Sequence, residues 1–308
     1  MRFGVHVPQW GPGATRDGVL SVARCAEDAG LDSVWVADHI VHPHESVSTY
    51  PYRADGLPFR REEGFLEAFA LLSVIAGATS RVQLGTSVLV MPMREPLLTA
   101  KTVATLDVLS GGRTILAMGA GWWEEEFDAL GVQFRRRGKR FDEQLRIMRA
   151  LWSEGELGHD GDAFSFPALT CRPLPVQQGG PPILIGGMGP AAWRRTARLG
   201  DGWHAVGANS EALEHGHAEI HRLAAEAGRD PAAITISTST GLVPDAERLT
   251  ARMHRLARTG VTHAVFNVAD NTARGICSAI ERFAEDVLPA LRRDLPDDQR
   301  PRIPEKTT

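Results

Sequence analysis

Residues 81–119 read RVQLGTSVLVMPMREPLLTAKTVATLDVLSGGRTILAMG. The apolar, β-branched run over 81–90 predicts a strand, the 3.6-residue spacing over 97–109 predicts a helix, and RTILAMG over 113–119 predicts another strand. The same alternation extends in both directions. Upstream, FGVHVP (3–8) and SVWVAD (33–38) read as strands, with helices over 15–29, stopped at Gly30, and over 65–78. Downstream, a helical and polar stretch (122–152) and an irregular one (153–180) precede PILIGG (182–187), a helix over 191–199 and GWHAV (202–206). ITISTST (234–240) and HAVFNV (263–268) follow, each after one helical segment, and a last helix runs to about residue 291. Eight strands separated by helices imply right-handed crossovers and a parallel sheet, and eight is the number that closes into a (β/α)8 TIM barrel. An open doubly wound sheet is the alternative, but no GxGxxG follows the first strand.

The chain has 308 residues, and no linker or composition shift divides it, so a single barrel domain over 1–295 with a polar, proline-rich tail over 296–308 is expected. Hydrophobic residues make up 43% and charged ones 23%, which suits a large core and argues against disorder. A net charge of -4 offers no broad field for a nucleic acid, so none is expected as a partner. Cys25, Cys171 and Cys277 are far apart and lack CxxC spacing, which suggests neither a disulfide framework nor structural zinc. No stretch reaches the roughly 18 apolar residues of a membrane span, and no signal-peptide core opens the chain. A cytoplasmic location without membrane association is the expectation.

In a βα barrel the site forms where strands end. That rule selects Gln9 and Trp10, Asp38 and His39, residues 87–90 and 119–122, residues 186–188 and the neighbourhood of Asn267. Asp38-His39 pairs a carboxylate with a side chain that titrates near neutrality, a potential acid-base pair; a buried imidazole satisfied by carbonyls is the alternative. His6 reads as core packing, and His42 and His44 as loop residues rather than metal ligands, so no metal is expected. Gly85, Thr86 and Ser87 interrupt an apolar strand, which marks either a bulge against which a flat ring can lie or a small-residue layer of the interior. GGMGP (186–190) opens a helix and suits an anion held on backbone amides, or a plain tight turn. Glu124, Glu125 and Glu126 begin a helix, where the macrodipole favours them. Of Trp122 and Trp123, one is expected to pack and the other to line a cleft. RRRGKR (135–140) reads as a solvated helix start or a clamp for an anionic tail.

Taken together, RFGVHVPQWGP, AEDAGLDSVWVADHI, LGTSVLVMPMREP, TLDVLSGGRTILAMGAGWWEEEFDALG, RRRGKRFDEQLRIMRALW and PPILIGGMGPAAWRRTARLGDGWH resemble the bacterial luciferase-like flavin and deazaflavin oxidoreductases. The resemblance is strongest to the actinobacterial branch that uses coenzyme F-420, and it covers residues 2–204 in order. It implies a barrel with an insertion, a ring cofactor against a third-strand bulge at a non-prolyl cis bond between Ser87 and Val88, and cofactor contacts from Asp38, Thr86, Ser87, Val88 and Gly119. It further implies a phosphate on the turn at Gly186, Gly187 and Met188, a weaker tail contact at Arg140, and His39 as the acid or base. The glutamate that donates a proton in the family's sugar-phosphate dehydrogenases is matched here by Trp122, which argues against that activity and leaves Glu124 as a substitute.

The loop over 42–64 is expected to cover the substrate, with Trp10, Tyr50, Tyr52 and Phe59 walling an apolar pocket. Arg60 and Arg61 are further candidates for the cofactor tail. The implied activity is F-420-dependent hydride transfer to or from a small organic substrate. A reduced-FMN-dependent monooxygenase and a cofactor-binding barrel without turnover are the alternatives, and a homodimer is the expected assembly.

Overall fold

Strands β1 (Arg2–His6), β2 (Ser33–Val36), β3 (Gln83–Val90) and β4 (Thr114–Gly119) appear where the apolar runs place them, within two residues at either end. The structure, a computed structural model, describes residues 1–51, 56–57 and 59–295. Tyr52 and the expected tail over 296–308 lie outside the described residues. Strands β5 (Glu156–Asp160) and β6 (Ser165–Thr170) form a hairpin, and β7 (Ile183–Gly186), β8 (Gly202–Val206), β9 (Thr235–Gly241) and β10 (His263–Asn267) complete the set. The closed barrel runs β1-β2-β3-β4-β7-β8-β9-β10 and returns to β1, every pairing parallel.

Helices α1 (Arg16–Asp28), α2 (Ala68–Ala76) and α3 (Pro96–Ser110) cover the first half. Local chemistry sets their ends. The Thr15 side chain accepts from Gly18 N–H at 3.0 Å to start α1, and Gly30, at φ +77°, ends that segment. Helices α4 (Glu124–Ala129) and α5 (Arg137–Glu154) divide the expected single stretch over 122–152, because Gly131 turns the chain at φ +68°. Helices α6 (Pro190–Leu199), α7 (Ser210–Glu226), α8 (Ala246–Arg258), α9 (Ala273–Asp286) and α10 (Leu288–Asp294) follow. The expected last helix is also two, since Pro289 has no N–H with which to continue α9.

The stretch over 153–180, read as irregular, contains the β5-β6 hairpin. Its strands alternate between exposed and half-buried positions and have no fully buried face, so their apolar pattern is weak. A carboxylate on α5 holds the hairpin down: Glu143 Oε1 meets His159 Nε2 at 2.9 Å and accepts from Phe164 N–H at 2.9 Å.

Inside the barrel, Trp35 fills the space between strands. Its Nε1 donates to Ser33 Oγ at 2.7 Å, Ser33 Oγ lies 2.8 Å from His263 Nε2, and the indole stacks on the His204 ring at 5.4 Å and 8°. The indole fits because its neighbours carry no side chain. A Cβ built on Gly85 would lie 2.4 Å from Trp35 Cδ2, and one on Gly4 2.6 Å from Trp35 Nε1. Gly85 thus belongs to the interior layer, while Thr86 faces the opposite side of the strand and donates to Ala117 O at 2.9 Å. The bulge lies one step further on. Register shifts between Thr86 and Leu89, and the Ser87–Val88 bond is cis, as the family resemblance implies.

Three imidazoles are enclosed here. Burial pushes His6 down to about 4 and, aided by repulsion from His6, pushes His204 down to about 3, while His263 falls well below the ordinary histidine value. All three are neutral in the folded barrel at neutral pH. As pH falls below about 6.5 the unfolded chain takes up protons that the folded state refuses until about pH 4, so stability declines through that window. Each such histidine contributes a slope of up to about 1.4 kcal/mol per pH unit. Urea unfolding is expected to show a lower midpoint at pH 5 than at pH 7; equal midpoints would contradict this accounting. Gly85→Ala is expected to cost about 1–3 kcal/mol by overpacking against Trp35, measured as a lowered urea midpoint at unchanged slope.

Candidate active site

The C-terminal strand ends converge on a cavity of about 490 Å³ whose lining includes His6, Trp10, His39, Phe59, Ser87 and Asn267. Its position follows from the barrel, and its shape follows from a few buried polar residues. Gln9, 1% exposed, clamps the first two strand ends: its Oε1 accepts from Ala37 N–H at 2.7 Å, and its Nε2 donates to Ala37 O at 2.9 Å and Leu66 O at 2.6 Å. Asp38 ties the second strand end to the third. Its carboxylate accepts from Val90 N–H at 2.9 Å and from Arg94 Nη2 at 2.6 Å and Nε at 3.2 Å. Burial disfavours the Arg94 charge, but Asp38 and Glu67 more than offset this and raise its pKa. Asp38, expected beside a ring cofactor, is therefore engaged in ordering the bulge and does not line the cavity.

His39 projects into the cavity mouth. Its Nδ1 lies 2.9 Å from Oε2 of Glu126, whose side chain is 1% exposed. Glu126 Oε1 accepts from Ile40 N–H at 2.7 Å and Val41 N–H at 3.2 Å, and a carboxylate oxygen at Oε2 pairs with the His39 tautomer that carries its hydrogen on Nδ1. Nε2 of His39 has no hydrogen-bond partner among the described residues and is the nitrogen available to a ligand. This dyad was not anticipated from the sequence, where the three glutamates read as one helix-start feature. Glu124, the expected substitute proton donor, is exposed and absent from the cavity lining. Glu125 accepts from Val47 N–H at 2.6 Å and Ser48 N–H at 3.0 Å. Burial opposes its charge, but the Ser48 hydroxyl and these amides hold its carboxyl down at about 2. A sequence signal existed: Trp123, Glu126 and Phe127 share the buried stripe of α4, which puts a carboxylate on an apolar face.

Of the two tryptophans, Trp123 packs as expected, whereas Trp122 is half-buried and is absent from the cavity lining. They stack at 5.1 Å and 7°, Trp123 being buried with its Nε1 donating to Ser46 Oγ at 2.9 Å, and Trp122 being half-buried with its ring 6.1 Å from that of His39. Tyr50 lies edge-on to Trp122 at 5.3 Å and lines the cavity with Trp10, Phe59 and Phe65. On the floor, Ser87 Oγ is 2.8 Å from His204 Nε2, and His204 Nδ1 is 2.7 Å from Ser237 Oγ. His6 also lines the floor, with its Nε2 buried and unpartnered.

Val88 wedges between Gly119 and Gly186, where Cβ atoms would lie 3.0 and 2.9 Å from its Cγ1. Beyond Gly186, the turn through Gly187 (φ +119°) and Met188 leads into α6, and Trp203 Nε1 donates to Gly187 O at 2.7 Å. The N–H groups of Met188 and Gly189 have no partner among the described residues. Arg140 is spent elsewhere, donating to Pro92 O at 3.0 Å with its guanidinium over Phe164. Arg60 and Arg61 are exposed and do not line the cavity. His42 packs edge-on against Trp123, and no group of three or more potential metal ligands occurs among the described residues. Nor is any helix among them long and apolar enough to cross a membrane.

A sequence profile described as luciferase-like monooxygenase matches residues 1–291. The chain belongs to the luciferase-like family. An uncharacterized protein of Mycobacterium tuberculosis H37Rv is 36% identical over 248 residues, 80% of this chain and 83% of the relative. An F420-dependent glucose-6-phosphate dehydrogenase of Amycolatopsis mediterranei is 34% identical over 200 residues, 63% of this chain and 54% of that protein. Among solved structures, an F420-dependent secondary alcohol dehydrogenase in complex with an F420-acetone adduct superposes with a TM-score of 0.77 at 22% identity, covering 94% of this chain and 99% of that one. A riboflavin lyase superposes with a TM-score of 0.75 at 16% identity, over 95% of this chain and 91% of that one. At these identities the structural likeness concerns the fold.

Within this luciferase-like barrel Asp38 and Arg94 form an enclosed ion pair beside the cavity, the two side chains being 0% and 14% exposed. Asp38→Ala leaves the guanidinium with only the more exposed Glu67 carboxylate and the Val90 N–H without its acceptor, and is expected to cost about 1–3 kcal/mol in unfolding free energy, read by urea denaturation.

Proposed function

We propose that this luciferase-like protein is a coenzyme F-420-dependent oxidoreductase that exchanges a hydride with a small organic substrate, His39 serving as proton acceptor and donor. The observation that carries the proposal is the His39-Glu126 dyad opening onto a cavity floored by the Ser87–Val88 bulge. The relatives named as F420-dependent dehydrogenases support the choice of deazaflavin.

The residues fit such a cofactor. Val88, with glycines on either side, offers a ring a smooth apolar surface, and the unpartnered Nε2 of His6 is a polar atom at the same floor. The Met188 and Gly189 amides at the start of α6 suit a phosphate. When bound, the deazaflavin would supply hydride chemistry to or from a substrate carbon.

The protein's own task is the proton. With Nδ1–H directed at Glu126, neutral His39 presents the Nε2 lone pair to the cavity and takes a proton from a substrate hydroxyl; protonated at Nε2, it returns one to a carbonyl oxygen. Glu126 keeps the imidazole in this tautomer and steadies its cationic form, as a buried carboxylate does in acid-base dyads generally. The rings of Phe59, Phe65, Trp122 and Trp123 lie 5.4 to 6.1 Å from the imidazole and keep water away from it.

Fluorescence titration of the purified protein is expected to show saturable F-420 binding tighter than FMN binding; tight FMN binding with no F-420 binding would overturn the proposal. His39→Ala is expected to lower kcat about 10²–10⁴-fold at nearly unchanged F-420 affinity. Glu126→Gln, whose amide can donate to Nδ1 and reverse the tautomer, is expected to lower kcat while the protein still binds F-420. Unchanged rates in both variants would remove the dyad from the chemistry.

A further inference from the structure

The space beside His39 is an aromatic box. Trp10 stacks on Phe65 at 5.6 Å and 11° and lies 5.6 Å from Phe59, and Phe59 lies 5.4 Å from the His39 ring. The box is built to hold its shape. Asn271 Nδ2 donates to the Trp10 carbonyl, and Phe59 is only 8% exposed. Leu57, Val206 and Val268 extend the apolar lining, and among the described lining residues none is Lys or Arg.

Among the described residues, two arginines near the box are engaged elsewhere. Arg94 is shared between Asp38 and Glu67, and Arg137 donates to the Gly121 and Phe134 carbonyls while its guanidinium lies 3.7 Å above the Phe134 ring. A phosphate or carboxylate brought into this box would lose its hydration and gain no ion pair, a large penalty. An uncharged ring would gain stacking and apolar burial.

On this basis we propose that the substrate is an uncharged, ring-bearing secondary alcohol or its ketone, and that phosphate esters are excluded from the site. This specificity rests on the hydride-transfer reading above. In the oxidative direction the substrate R–CH(OH)–R′ becomes R–CO–R′: the C–H bond breaks with its electron pair, leaving as hydride to the oxidised deazaflavin, and the hydroxyl proton passes to His39 Nε2. Reduction of the ketone reverses both transfers. The flat faces of Trp10 and Phe65 hold the ring substituent and set the reacting carbon beside His39.

The test uses the full chain with acetophenone, 1-phenylethanol and glucose 6-phosphate. Ligand-observed NMR on the protein without cofactor is expected to show contact with acetophenone and none with glucose 6-phosphate, whatever the cofactor proves to be. With F-420 bound, 1-phenylethanol is expected to bleach the 420-nm band and glucose 6-phosphate to leave it unchanged. Trp10→Ala is expected to raise KM for 1-phenylethanol at least tenfold with F-420 affinity within twofold; Trp10→Phe, which keeps an aromatic face, is expected to restore most of the loss.

Binding of glucose 6-phosphate equal to or stronger than that of acetophenone, or an unaltered KM in Trp10→Ala, would overturn the substrate assignment while leaving the cofactor reading intact. Absence of F-420 binding with acetophenone contact preserved would overturn the cofactor reading and leave the aromatic box as a site for neutral rings.

Discussion

A single indole at the centre of the barrel joins the fold to the site. Trp35 occupies volume that Gly4 and Gly85 leave open, bonds through Ser33 to His263, and stacks on His204, whose far edge meets Ser87 on the cavity floor. The floor's hydroxyl is thus positioned from below by a packed ring, and the imidazoles that transmit this order are neutral because burial keeps protons off them. Polar atoms this deep are tolerated when nearly all are bonded, and a fully connected network fixes one arrangement of the interior.

The barrel was legible because its strands are short apolar runs with a glycine or polar residue at each end, a pattern that needs no knowledge of partners. The β5-β6 hairpin was not, since its strands bury no complete face; Leu157, Phe166 and Leu169 pack only partly buried against the core, and Glu143 adds a contact between segments that no local period records. At the site, the cis Ser87–Val88 bond and the place of His39 at the cavity could be named from position and resemblance, whereas the hydrogen-bond partners of Asp38 and Glu126 could not. The carboxylate next to the histidine in sequence turns away to Arg94, and one 87 residues later supplies the imidazole's partner. Adjacency in sequence carries little information here because consecutive residues leaving a strand point in different directions.

Gly85 shows the same limit from the other side. A small residue in a strand announces that something approaches closely, but not whether the visitor is a ligand or the protein's own side chain. Here it is the indole of Trp35, and the cavity-facing irregularity begins only two residues later. In the basic cluster over 135–140, Arg137 and Arg140 likewise pack against carbonyls and aromatic rings, whereas Arg135, Arg136 and Lys139 are exposed.

Helix α4 begins with two glutamates that grip the chain over 40–48: Glu126 through Ile40 and Val41, Glu125 through Val47 and Ser48. The same Glu126 holds His39. The segment over 40–48 and the His39 imidazole are therefore fastened to one short helix, and a displacement of α4 would disturb the hydrogen bonds of both at once.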